Sequence, residues 1–225
     1  MKKILFCLAA TALLATGCSG KGNEYKVSKK NFEEEITNYG FVLNSNARFE
    51  GSTSTTYGED SVRQTIVMEF DSQGEHQRFR VHQVAEGEGE MESVVDIKTL
   101  ESGNLDLDWY RKGFGDTSYS LIKIENVSKE ELGNNLTEMV YLPPLKYEEV
   151  KFKADNNSYC VDTYSYQVQE GSEIYAVNYS NLNVQFKDGH LNSFEFTLIG
   201  PGGGGSFHVE KTKTGGVAVA LPTIS

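Results

Sequence analysis

Three cysteines and four histidines are the side chains of this 225-residue chain with the most pointed chemistry. A metal centre needs two or three such groups convergent, each fixed by a further partner. His76 and His82 share one strand face only if their strand starts early, and His76 reads as a turn residue. His190 and His208 stand far off in sequence. The run Glu86-Gly87-Glu88-Gly89-Glu90 lacks the ligand spacing of a calcium loop and reads as a solvated acidic loop. A nucleophile elbow needs Gly-x-Ser-x-Gly, and none is present. The segment Gly200-Pro201-Gly202-Gly203-Gly204-Gly205-Ser206 is rich in glycine but carries no lysine, so it does not fit a phosphate loop. It reads as a flexible loop between two strands, able to let a cavity mouth open. No catalytic residue, metal or cofactor is assigned, and the chain reads as a non-enzyme.

Cys18 stands apart because of what precedes it. Met1-Lys2-Lys3 is a short positive start, and an apolar stretch runs from Ile4 to Ala15, broken only by Thr11. This stretch falls short of the ~20 residues that span a hydrocarbon core. Its length suits the apolar region of a signal peptide. It ends on Leu14-Ala15-Thr16-Gly17-Cys18, which resembles the lipobox of bacterial lipoproteins, although Leu14 sits one position further out than usual. The resemblance implies a diacylglyceryl group on the Cys18 thiol, removal of residues 1–17, and a place on the extracytoplasmic face of the cell membrane. Two acyl chains suffice for such anchoring where one is marginal. Residues 18–24 then read as the lipidated cysteine and a flexible tether, Ser19 to Glu24, spanning at most roughly 20 Å.

Loss of residues 1–17 removes Lys2 and Lys3 and takes the formal charge from −11 to −13. Such a surface argues against nucleic acid and against docking on the anionic lipid headgroups of a membrane surface, and favours a monomer. With Cys18 lipidated, Cys160 has no partner for a disulfide and reads as a buried, inert thiol. Residues 25–225 read as a single domain.

Two helices are predicted from matching starts. Ser28 is placed as an N-cap with Val27 and Phe32 as a hydrophobic staple, and Phe32, Ile36 and Tyr39 follow at helical spacing before Gly40. Ser128 and Glu131 form a capping box flanked by Val127 and Leu132, with Leu136, Met139 and Val140 continuing the face up to Pro143-Pro144. Elsewhere the pattern alternates: Thr65 to Phe70, Arg78 to Val84, Glu149 to Ala154, Ser158 to Val168, Ile174 to Lys187 and Leu191 to Leu198 read as strands. Asp188-Gly189 is the clearest hairpin turn. Ser206 to Thr212 and Val217 to Leu221 are predicted as a closing strand pair. The expected fold is α+β: a long curved antiparallel sheet, half-barrel-like, with two helices on its concave face.

This order, with the opening Val27 to Tyr39, the hairpin Phe186 to Phe196 and the closing Gly216 to Pro222, resembles the LolA/LppX-like carriers. The resemblance implies a hydrophobic cavity between sheet and helices that takes lipid acyl chains, and it carries over no family site residue by residue. The aromatic residues, among them Trp109, Tyr159, Tyr164 and Tyr179, are candidates to line that cavity or simply to pack the sheet. The expected function is binding of a lipid or other hydrophobic ligand by a membrane-anchored lipoprotein. The alternative is a non-catalytic envelope interaction module with a solid core. On the anchoring reading, Cys18→Ala shifts the protein into soluble fractions; a variant still held firmly in the membrane after high-salt washing defeats it.

Overall fold

The computed structural model describes residues 26–37, 45–57, 60–72, 76–129, 131–132, 143, 145–170, 173–200 and 203–224. Eleven strands dominate it: β1 (Ala47–Tyr57), β2 (Asp60–Asp71), β3 (His76–Ala85), β4 (Gly89–Thr99), β5 (Leu105–Lys112), β6 (Ser120–Val127), β7 (Lys151–Lys153), β8 (Ser158–Glu170), β9 (Glu173–Lys187), β10 (His190–Gly200) and β11 (Gly203–Thr214). All join one antiparallel sheet in the order β6-β5-β4-β3-β2-β1-β11-β10-β9-β8-β7.

The sheet is two meanders joined along one seam. β1 to β6 run outward by successive hairpins, and β7 to β11 run back inward. The seam is the β1–β11 ladder, from Ala47 opposite Thr214 to Tyr57 opposite Gly203. Alternation then sorts the side chains. One face, termed inner, carries Phe49, Ile66, Met68, Phe70, Phe79, Val81, Val95 and Ile97 from the first meander, and Tyr159, Val184, Phe186, Phe194, Phe196, Phe207 and Val209 from the second, all buried in one cluster. Leu105 and Leu107, close to one edge, belong to the same buried cluster as Tyr159, close to the other.

The fold is predominantly β, which corrects the expected α+β class with two covering helices. Besides helical Lys129, Glu131 and Leu132 and a 3-10 turn at Tyr147–Glu149, the described residues hold one short helix, α1 (Lys29–Phe32), which runs on as a π-helical segment, Glu33–Thr37. Its start is as predicted: the Asn31 amide donates to Ser28 Oγ at 3.2 Å, and Val27 and Phe32 are buried. Phe32 seats its ring 5.0 Å from Tyr159, 5.6 Å from Tyr147 and 5.7 Å from Phe186. At the second start the Ser128 amide donates to Glu131 Oε2 at 2.8 Å and the Glu131 amide donates back to Ser128 Oγ at 3.2 Å. The capping box therefore forms and buries Leu132, while the rest of that predicted helix, residues 133–142, lies outside the described residues.

Three local readings also change. His76 opens β3 opposite Lys98 instead of lying in a turn. Gly203, Gly204 and Gly205 pair with Tyr57, Thr56 and Thr55 as strand, where a flexible loop was expected. Val217 to Leu221 form no strand; they run past the end of the sheet as a strap. The Val217 amide donates to Asn46 Oδ1 at 2.8 Å, the Val219 amide donates to Asp71 Oδ2 at 3.1 Å, and both valines are buried. The Asp188-Gly189 turn does form, with φ of 53° and 82°, the paired positive angles of a two-residue hairpin.

Gly51 sits in the seam where a Cβ would lie 1.8 Å from the His208 carbonyl oxygen and 2.7 Å from the Val209 Cα. The obstruction is backbone, which cannot swing aside. Gly51→Ala is therefore expected to lower stability by more than the ~1–3 kcal/mol of an ordinary overpacked core, read as the shift of the urea unfolding midpoint. An unchanged midpoint would show that the strands separate there without cost.

Candidate ligand-binding face

The inner face is apolar where the two meanders meet and grows polar towards one end of the strands. Phe194, Phe196 and Phe207 stack with centroid separations of 5.4 Å (Phe194–Phe207) and 5.0 Å (Phe196–Phe207), and Phe49 meets Phe70 edge-on at 5.8 Å. Tyr179 meets Phe196 at 5.0 Å and Tyr164 at 6.4 Å. Further along the same strands the inner positions are Thr53, Thr55, Gln64, Gln83 and Ser93, all buried. Tyr159 is the one fully buried tyrosine among the largest core side chains; its hydroxyl donates to the Val27 carbonyl at 3.1 Å, and burial pushes its pKa up to about 12.

At the β5–β6 edge the inner face reaches solvent. Trp109 stands opposite Val95 on one side and Ile122 on the other, and Ile122 is 39% exposed. Arg111 follows on the same face with its guanidinium carbon 5.6 Å from the Trp109 ring centroid, a cation–π contact. The Trp109 indole Nε1 is buried with no hydrogen-bond partner. Such an orphaned donor costs ~1–3 kcal/mol.

The outer face is organised by charge. Arg48 pairs with Glu50 at 2.6 Å and with Glu69 at 2.9 Å; Glu69 pairs with Arg80 at 3.0 Å; Arg80 pairs with Glu92, which also accepts the Tyr119 hydroxyl. This ladder ties five neighbouring elements, from β1 to the loop before β6. Burial and the Glu92 carboxylate push Tyr119 up to about 12. A shallow outer groove of about 170 Å³ is lined by residues of β4 to β6 including Asp96, Lys98, Asp108 and Lys123, and is too small and charged for an acyl chain.

The histidines are dispersed. His82 pairs with Glu90 at 3.1 Å, His190 with Glu35 at 2.9 Å, and His208 with Glu195 at 3.3 Å. Among the described residues no group of three His, Cys, Asp or Glu side chains could hold a metal ion. Glu86 and Glu88 lie exposed in the β3–β4 turn. Cys160 is a buried free thiol, 3.3 Å from both Ser158 Oγ and Asn183 Oδ1. Cys18, with the expected signal peptide and tether, lies outside the described residues. No helix among the described residues is long and apolar enough to cross a membrane. Arg111 is the site residue that pattern reading missed. Its signal was present in Leu105-x-Leu107-x-Trp109-x-Arg111, an apolar alternation that ends on a cation.

No protein-family model matches the chain, and no curated protein matches it.

The Glu195–His208 pair gives a pH-dependent contribution. The bond to His208 holds Glu195 below the usual carboxylate value of 4.5, and the bond to Glu195 holds His208 above 6.5. The histidine part is fully present below 6.5 and lost as pH rises through the raised value. The glutamate part is present above 4.5 and lost as pH falls through the lowered one. The stability difference between wild type and His208→Gln should therefore peak between pH 4.5 and 6.5, and stay below ~1 kcal/mol because both side chains are half exposed. Urea midpoints across pH test it; a difference flat from pH 4.5 to well above 6.5 would refute the coupling.

Proposed function

We propose that this protein is a membrane-tethered extracytoplasmic lipoprotein whose inner sheet face binds the acyl part of a lipid or similar hydrophobic ligand. The observation that supports this most directly is an apolar inner face continuous from the aromatic block at the seam to solvent at Ile122. At the β5–β6 edge that face ends on the half-buried Trp109 and the exposed Ile122 opposite it. Burial of an acyl chain supplies ~0.8 kcal/mol per CH₂ and needs no catalytic group. The lipobox-like sequence ending on Cys18 supports the tethering.

The second reading, an interaction module with a solid core, is favoured by the dense ring contacts round Phe32 and Tyr159. Native mass spectrometry of the protein, purified gently from the membranes of the cells that make it, separates the two. A discrete bound mass of lipid size, identified by solvent extraction, is expected. A clean apo mass that stays so when membrane lipids are offered sinks the lipid-binding reading and leaves the interaction module.

A further inference from the structure

We propose that Arg111 and Trp109 form a headgroup site for an anion-headed amphiphile at the β5–β6 edge, with the chain of the ligand lying inward along the same face. This rests on the reading of the inner face as lipid-binding and adds the chemical class of the ligand.

The argument begins with charge. On the outer face Arg48, Arg78 and Arg80 all pair with carboxylates at 2.6 to 3.0 Å or closer. The register places Arg111 on the other face, opposite Ser93 and Ser120. From β3 to β6, Arg111 is the only charged residue at an inner position, and no carboxylate shares that face. A protein with net charge −11 has acids to spare, yet this guanidinium is exposed with no ion-pair partner among the described residues.

Chemistry and shape agree with the charge. A guanidinium offers a planar fork of N–H donors that matches a carboxylate or a phosphate. The indole N–H of Trp109, in the ring whose centroid lies 5.6 Å from the guanidinium carbon, is a second donor, buried and without an acceptor. Ile122, the exposed apolar residue opposite Trp109, supplies the surface over which the first methylenes would pass. Inward from Trp109 the same face continues through Leu107 and Ile97, both buried. Cation, free donor and apolar lead-in thus occur in the order in which an amphiphile presents its head and tail.

Trp109 is the only tryptophan of the chain, so its fluorescence reports this site and no other. The test uses the full chain in a non-ionic detergent, titrated with dibromostearate, brominated phosphatidylglycerol or brominated phosphatidylcholine, with bound ligand counted in parallel by native mass spectrometry. Saturable quenching by the anionic probes is expected, together with about tenfold weaker binding in Arg111→Gln and largely retained binding in Arg111→Lys. Quenching by dibromostearate alone identifies a carboxylate head; quenching by phosphatidylglycerol as well extends the site to a phosphodiester. Bound amphiphile without quenching, quenching unchanged in Arg111→Gln, or equal response to phosphatidylcholine overturns this site and leaves the lipid-binding reading standing. No uptake of any probe overturns both. Because Arg111 is exposed, its variants should keep the wild-type circular dichroism spectrum, which guards against a folding artefact.

Discussion

The β1–β11 ladder is the one constraint on which the rest of the molecule depends. Every other strand pair joins neighbours in sequence, through turns or through the short connection after β7. Only this ladder unites the first meander with the second, and only through it do Phe49 and Met68 come to share an interior with Phe207 and Phe194. Its demands are visible in its residues. Gly51 admits the His208 carbonyl at a distance no side chain tolerates, and Gly203, Gly204 and Gly205 let the far end of β11 lie against Thr55 and its neighbours.

The two faces answer different physical problems. The outer face is in water, where individual ion pairs contribute little, so a cross-strand ladder from Glu50 to Tyr119 works as a network that fixes strand register more than it adds stability. The inner face is where burial supplies the free energy, and its rings meet at 5.0 to 6.5 Å with tilted, stacked or edge-on geometry. Helical cover is anchored sparsely. Glu35, in the π-helical segment, accepts the Leu191 amide at 2.9 Å and pairs with His190, which stitches that segment to the β9–β10 hairpin.

Much of this was legible in the sequence, and the gaps have physical causes. The Ser28 and Ser128 caps, the Asp188-Gly189 turn and the inner alternation of Ile66, Met68 and Phe70 follow from local rules, and local rules suffice for them. β1 was not legible, because Gly51-Ser52-Thr53-Ser54-Thr55-Thr56 has no apolar alternation; it is a strand because both flanks supply ladders. The glycine run was misread for the same reason. The expectation of two helices came from caps and helical spacing, and both caps form at Ser28 and Ser128, but an amphipathic spacing does not state how much of a sheet its helix covers. Arg111 was overlooked because its meaning depends on which face it occupies, and face is set by pairing with β4 and β6.

The seam also sets an order in time. Each meander closes by hairpins between adjacent segments, which form in microseconds, whereas β1 must wait for a strand that ends at Thr214, some 160 residues further on. A chain emerging from its N-terminus onward would therefore hold β1 as an unpaired edge, flanked only by β2, until its last strand arrives. Its protection in that interval comes from Arg48 and Glu50, since charged side chains make an edge a poorer template for adhesion between unfinished chains. The run Gly51 to Thr56 that hides β1 from pattern reading is thus also the stretch of that edge without a charge, left open until β11 covers it.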